Sequence, residues 1–140
     1  MRVYLAAAMT NTDRDLGVVQ ALHEEITSRG HTVLTPQVSA ADGIEQDARL
    51  SVGELARRDL DLVSSSDVLV AEVSTPSHGV GIEVLAATRE RIPVLLVNRR
   101  GVRVSRLLLG LSGTTSRDYS EHAEARTITA DYLESLSVRE

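Results

Sequence analysis

The stretch Ser74-Thr-Pro-Ser77-His78-Gly79-Val80-Gly81-Ile82-Glu83 sets hydroxyls, two glycines and a carboxylate within ten residues. Gly79 and Gly81 permit close backbone approach at a helix start, where unpaired amides and the helix dipole favour an anion. Ser77 adds a donor without adding negative charge, so the set suits a phosphate or another anionic group. The same residues also make an ordinary helix cap and turn. Glu83 stands among Val80, Ile82, Val84, Leu85, Ala86 and Ala87. This reads as one acid in the first turn of a largely buried helix, where the dipole favours the ionised form. A sheltered carboxylate kept charged can attack an electrophilic carbon. An acid paired with an arginine is the plainer alternative.

Asp59 offers a second carboxylate. It falls within the stripe Val52, Leu55, Leu62 and Val63, four residues from Leu55 and from Val63. An unpaired buried charge is costly, so Asp59 is expected to face a polar partner or a site. One acid on each of two neighbouring helices suits glycosidic chemistry, one as nucleophile and the other orienting the sugar or protonating the leaving group. Glu72 is a weaker candidate. His23, His31 and His122 have no metal-ligand spacing, whereas His78 sits beside Ser77 and is a candidate substrate contact.

Composition narrows the chemistry further. The 140 residues include no cysteine, and all fifteen basic residues are arginine. Thiolate, zinc-thiolate, Schiff-base and Walker A chemistry are therefore excluded. The formal charge is −5, so the electrostatic footprint for nucleic acid or an anionic membrane is missing. No apolar run approaches the roughly 18 residues of a membrane span, and a cytoplasmic protein is the expectation.

These residues must be held by short apolar runs alternating with helical patterns. Strands are expected over residues 3–8, 31–35, 67–73 and 93–98. The last two are near-continuous Val/Leu runs, as in parallel strands covered on both faces. Helices are expected over residues 13–29, 51–64, from 79 to the residue before Pro93, and, as two short pieces, 104–111 and 129–136. The alternation predicts a single α/β domain over 1–140, a doubly wound, Rossmann-like parallel sheet sandwiched by helices. Ligands in such sheets bind beyond the carboxyl ends of the strands, where segments 7–11, 36 onward and 74–81 converge.

With those residues in view, the run Asp67-Val-Leu-Val-Ala-Glu-Val-Ser-Thr-Pro-Ser-His-Gly-Val-Gly-Ile-Glu83 resembles the signature of the nucleoside 2-deoxyribosyltransferase superfamily. It is most similar to the 2'-deoxynucleoside 5'-phosphate N-hydrolase branch, whose motif reads A-E-V-x-x-P-S-x-G-V-G-x-E. The resemblance spans nearly the whole chain, weakening after about Leu111. It implies a homodimer that cleaves the N-glycosidic bond through a glycosyl-enzyme intermediate, with no metal. By the resemblance Glu83 is the nucleophile, Asp59 the second catalytic acid, Tyr4 the first-strand tyrosine near the sugar and Ser77 a phosphate-binding serine. Ser105 matches a serine that reaches the phosphate from the neighbouring subunit. In the transferase branch the position of Ser77 is typically aspartate, which would repel a phosphate, so serine favours nucleotides.

The chain departs from the hydrolases after the first strand, with Ala7-Ala8-Met9-Thr10-Asn11 in place of Gly-Ser-Ile-Arg-Gly. Ala8, Met9 and Thr10 are then expected to line the substrate site, with Thr10, Asn11 or Arg14 standing in for the missing phosphate contacts. His78 replaces a usual leucine and Gln37 a frequent histidine. The reading is hydrolysis of (2'-deoxy)nucleoside 5'-monophosphates. Base exchange by a transferase and a non-catalytic nucleotide sensor are the alternatives.

Overall fold

A computed structural model describes residues 1–138. Its strands are β1 (Arg2–Ala7), β2 (Thr32–Val33), β3 (Val68–Glu72), β4 (Val94–Arg99) and β5 (Thr114–Tyr119). Its helices are α1 (Leu16–Ser28), α2 (Gly43–Asp47), α3 (Val52–Ser64), α4 (His78–Arg89), α5 (Arg106–Leu109) and α6 (His122–Ser137), with a 3-10 turn over Pro36–Ser39. All strand pairings are parallel, in the order β2-β1-β3-β4-β5. The order reverses between β1 and β3, so the crevice of a doubly wound sheet opens beyond their carboxyl ends.

Alternation along β1 divides its residues between two cores. Val3, Leu5 and Ala7 join Val18, Val19, Leu22 and Ile26 of α1 and Ala125 and Leu133 of α6. Tyr4 and Ala6 point the other way, among Val63 of α3 and Val80, Val84 and Ala87 of α4. The period of two in a strand thus puts Tyr4 on the face that carries both helices bearing the candidate acids. Every residue of β3 is buried, which is why it reads as the apolar run Val68-Leu-Val-Ala71 before the buried Glu72.

The structure revises the expected elements where the sequence is polar or the element short. The strand over 31–35 shrinks to Thr32–Val33, because Thr35 turns its hydroxyl into β1: Oγ1 donates to the Leu5 carbonyl (2.6 Å) and accepts from the Leu5 amide (3.1 Å). β5 has no counterpart among the expectations. It is an edge strand with one neighbour, and its centre, Ser116-Arg117-Asp118, is exposed. The piece expected at 129–136 is the second half of α6, whose buried stripe consists mainly of small residues (Ala125, Thr129, Ala130) until Leu133. The helix over 104–111 contracts to Arg106–Leu109, and α2 was not anticipated. Val52, placed on the apolar stripe of α3, is 92% exposed, so that stripe begins at Leu55.

The segment leading to α2 is pinned by close backbone packing at Gly43. A Cβ there would lie 2.0 Å from the Gln37 carbonyl oxygen and 2.8 Å from Met9 Cε. Gly43→Ala is therefore expected to cost about 2 kcal/mol, as overpacking does, measured by urea denaturation. A variant as stable as the parent would contradict this packing.

Candidate active site

Glu83 is the sixth residue of α4, beyond the first turn, because the helix begins at His78. The dipole fades over that distance. Glu83 points at the sheet, where the Tyr4 hydroxyl donates to its Oε1 (2.8 Å). Among the described residues nothing donates to Oε2. Burial is the largest influence on the carboxyl and pushes its pKa up to about 7, with the charges of Asp59 and Asp47 adding to the rise. The Tyr4 hydrogen bond and the Arg58 charge oppose it. Burial thus outweighs the helix end that the sequence suggested would favour the ionised form, raising the carboxyl while leaving it able to ionise near neutral pH. Tyr4 is itself held protonated by burial and by the neighbouring carboxylates, so it remains a donor.

Asp59 finds its polar partner in the adjacent residue. Arg58 donates from Nε (2.9 Å) and Nη2 (2.7 Å) to Asp59 Oδ1, and from Nη1 (2.8 Å) to Asp47 Oδ1 on α2. Asp59 Oδ2 receives no hydrogen bond among the described residues. Sequence reasoning singled out neither Arg58 nor Asp47. Arg58 was legible as the only cation beside Asp59 on the inward side of the stripe, whereas Asp47 belongs to a helix that itself went unread.

The start of α4 forms the third part. Ser77 is the N-cap and its Oγ accepts from the Val80 amide (3.3 Å), so the capping reading holds while the hydroxyl proton stays available. The amide of Gly81 is spent on the Ser77 carbonyl (3.3 Å). The backbone donors left over are therefore those of His78 and Gly79, not Gly81. A Cβ at Gly81 would meet nothing within 4 Å, and one at Gly79 would meet only Ser77 Oγ at 3.8 Å; here the glycines leave open space rather than relieve a clash. Ser77, His78 and Gly81 line a groove of about 650 Å³ together with Arg103 and Ser105 of the same chain, and its walls include Ile82, Leu85 and Leu107.

Ala8, Met9 and Thr10 follow β1. Arg14 Nη1 donates to the Ala8 carbonyl (3.2 Å), the Val38 carbonyl (3.1 Å) and Met9 Sδ (3.4 Å), clamping this loop to the 3-10 turn. Asn11 Oδ1 accepts from the Asp13 amide (3.0 Å), and Thr10 is exposed. Arg14 and Asn11 are thus engaged in shaping the loop. Glu72 is buried and serves the scaffold: its Oε1 accepts from the Tyr119 hydroxyl (3.0 Å) and from both the hydroxyl and amide of Ser74. Three histidines have ordinary partners, His23 with Ser39, His31 with the N-terminal amine and His122 with Asp15.

A doubly wound sheet with a tyrosine-bound glutamate at its switch point and a capped helix start less than two turns away is the architecture of a small-ligand enzyme. The chain matches the nucleoside 2-deoxyribosyltransferase family over residues 3–125, and it belongs to that family. A relative in Thermofilum pendens, provisionally named as a 2'-deoxynucleoside 5'-phosphate N-hydrolase, is 37% identical over 89% of this chain and 90% of its own length. The 5-hydroxymethyl-dUMP N-hydrolase of Danio rerio is 31% identical over 98% of this chain and 99% of its own. Among solved structures, the CMP N-glycosidase of Clostridium botulinum has the same fold, with a TM-score of 0.72 at 20% identity, covering 94% of this chain and 99% of that one.

The raised Glu83 carboxyl makes stability depend on pH in a defined direction. Its folded pKa of about 7 exceeds the ordinary 4.5. Between those values the folded chain keeps a proton that the unfolded chain releases, so stability falls as pH rises through the window and the loss is complete above it. Glu83→Gln is expected to melt a few degrees above the parent at pH 8 and level with it near pH 4.5. An equal difference at both pH values would refute the raised pKa.

Proposed function

We propose that this protein hydrolyses the N-glycosidic bond of (2'-deoxy)nucleoside 5'-monophosphates, releasing the free base and (deoxy)ribose 5-phosphate. The observation that carries the reading is the Tyr4–Glu83 hydrogen bond, which fixes one oxygen of a sheltered carboxylate and leaves the other free beside Asp59. In the first step Glu83 Oε2 attacks C1' as the C1'–N bond breaks, and the departing base takes up a proton. In the second, water attacks C1', the Glu83 ester bond breaks, and the sugar leaves with net retention. Asp59 orients the sugar or assists proton delivery. Tyr4 holds Glu83 and, by donating to it, favours the ionised nucleophile. No cofactor enters this scheme.

The phosphate is assigned to the start of α4, where the Ser77 hydroxyl and the His78 and Gly79 amides have donors to give. A neutral serine suits a dianion there; a carboxylate would repel it. The names of the relatives, which describe N-hydrolases of nucleotides, support the same substrate class.

The groove beside this site is apolar and open. Ile82 is 59%, Leu85 42% and Leu107 80% exposed along it. An apolar surface of this kind marks an interface, and a second copy of the chain is the proposed occupant, bringing Ser105 toward the neighbour's phosphate. This qualifies the sequence reading of α4 as a largely buried helix: Val80, Val84 and Ala87 pack on the sheet, whereas Ile82 and Leu85 are bare.

A panel of deoxy- and ribonucleotides, followed by chromatography for free base, tests the activity. The parent is expected to release base from at least one monophosphate, and Glu83→Ala to be at least about 10³-fold slower. No release from any of them would defeat the reading. With a second free base present, a hydrolase forms no new nucleotide and a transferase does. Leu107→Asp is expected to give a monomer by light scattering with a raised KM for nucleotide; an unchanged dimer, or a fully active monomer, would refute the proposed interface.

A further inference from the structure

The acids of this site outnumber its cations. Glu83 is faced by Tyr4 from β1, by Arg58 and Asp59 from α3 and by Asp47 from α2. Its own helix contributes His78, five residues earlier at the exposed helix start. Among the described residues, Arg58 is thus the one cation among three carboxylates. The Arg58, Asp47 and Asp59 side chains are 30%, 18% and 17% exposed, so their charges are only partly screened.

The geometry of the arginine is specific. A guanidinium on one face of α3 folds onto its neighbour's carboxylate and grips a single oxygen, Oδ1, through both Nε and Nη2. That leaves Oδ2 as the acceptor directed to other partners. The third donor, Nη1, is anchored to Asp47 on α2, a helix reached through the tight packing at Gly43. A lysine cannot reproduce this fork, since it is a point charge without fixed donor directions.

We propose that Arg58 is the positioning residue of this site: it pins Asp59 so that one oxygen stays free for the substrate, and with its anchor Asp47 it sets the charge balance around Glu83. The inference rests on the assignment of Glu83 and Asp59 as the reacting pair. It adds two residues that act through them without touching the substrate. Removing Arg58 leaves two carboxylates unopposed and disfavours ionised Glu83; removing the Asp47 charge does the opposite. The Arg58 charge lowers the Glu83 pKa and the Asp47 charge raises it, in keeping with these signs.

The test compares the parent with Arg58→Gln, Arg58→Lys, Asp47→Asn and the double variant Arg58→Gln/Asp47→Asn. Two readouts are followed across pH: kcat and KM for base release, and the midpoint of the Glu83 carboxyl resonance by ¹³C NMR. That resonance is assigned by its loss in Glu83→Gln. Arg58→Gln is expected to raise the midpoint and the acid limb of kcat/KM by about one pH unit. Asp47→Asn is expected to lower both, and the double variant to fall between them. Arg58→Lys is expected to keep the midpoint near that of the parent but lose at least about tenfold in kcat, because the fork is gone. Loss of anchorage alone would lower the melting temperature of every variant without moving the midpoints in opposite directions. Midpoints that move together, or not at all, overturn the proposal, as does a fully active Arg58→Lys. If Arg58→Gln fails to fold, the lysine and asparagine variants still decide the matter. The NMR midpoint needs no turnover, so a parent that releases no base defeats the hydrolase reading and leaves the charge balance to be judged separately.

Discussion

The hydrogen bond between the Tyr4 hydroxyl and Glu83 ties the first strand to the helix after the third. It spans the point where strand order reverses, so it exists only if β1 and β3 pair in register and α4 packs on the Tyr4 face. A sheltered carboxylate needs such a donor: without one, its ionised form would carry the full penalty of leaving water. Much of the surrounding construction keeps both groups in place. Glu72 and Ser74 brace the loop between β3 and α4, the Ser74 hydroxyl accepts the Arg99 amide (2.7 Å) from the end of β4, and Ser77 caps the helix.

The three-part division of the crevice follows from that constraint. On one side of α4, Glu83 meets Tyr4, Asp59 and the arginine that balances them. On the other, Ile82 and Leu85 line an open groove with Ser105. At its start, the free amides of His78 and Gly79 lie between the two. In the proposed reaction the sugar carbon, the subunit contact and the phosphate are served by three faces of a helix of twelve residues. With lysine absent from the chain, every fixed cation on those faces is an arginine, and among the described residues Arg58 is the one held within the acid cluster.

Where one residue type dominates a local environment, the sequence was legible. The Val/Leu runs of β3 and β4 can sit only in a sheet covered on both faces, and the serine-glycine start of α4 follows from capping and turn chemistry. Glu83 and Asp59 stood out because a charge within an apolar stripe demands an explanation. The edge strand β5 and the short helix α2 failed to register because their stability comes from tertiary packing rather than local pattern. β5 needs only one partner, and α2 is held by the contact at Gly43 more than by its own propensity. The rise in the Glu83 pKa was not anticipated, for a related reason. The dipole is a local property of the helix and can be read from the chain, whereas burial is set by segments distant in sequence. Arg58 and Asp47, eleven positions apart, meet only through the unread α2.

The central claim is that Glu83 bonds to the sugar carbon of a nucleotide, and trapping that bond tests it most directly. A 2-deoxy-2-fluoro-arabinosyl nucleoside 5'-monophosphate slows release of the glycosyl-enzyme by withdrawing electrons from C1' in an oxocarbenium-like transition state. Intact-mass spectrometry after incubation with a panel of such analogues is expected to show one added fluorosugar phosphate per chain, with one equivalent of base released. Peptide mapping is expected to place the added mass on Glu83, and Glu83→Gln is expected to carry none. Base release by the parent with no adduct at any time point, or an adduct on another residue, would contradict the account.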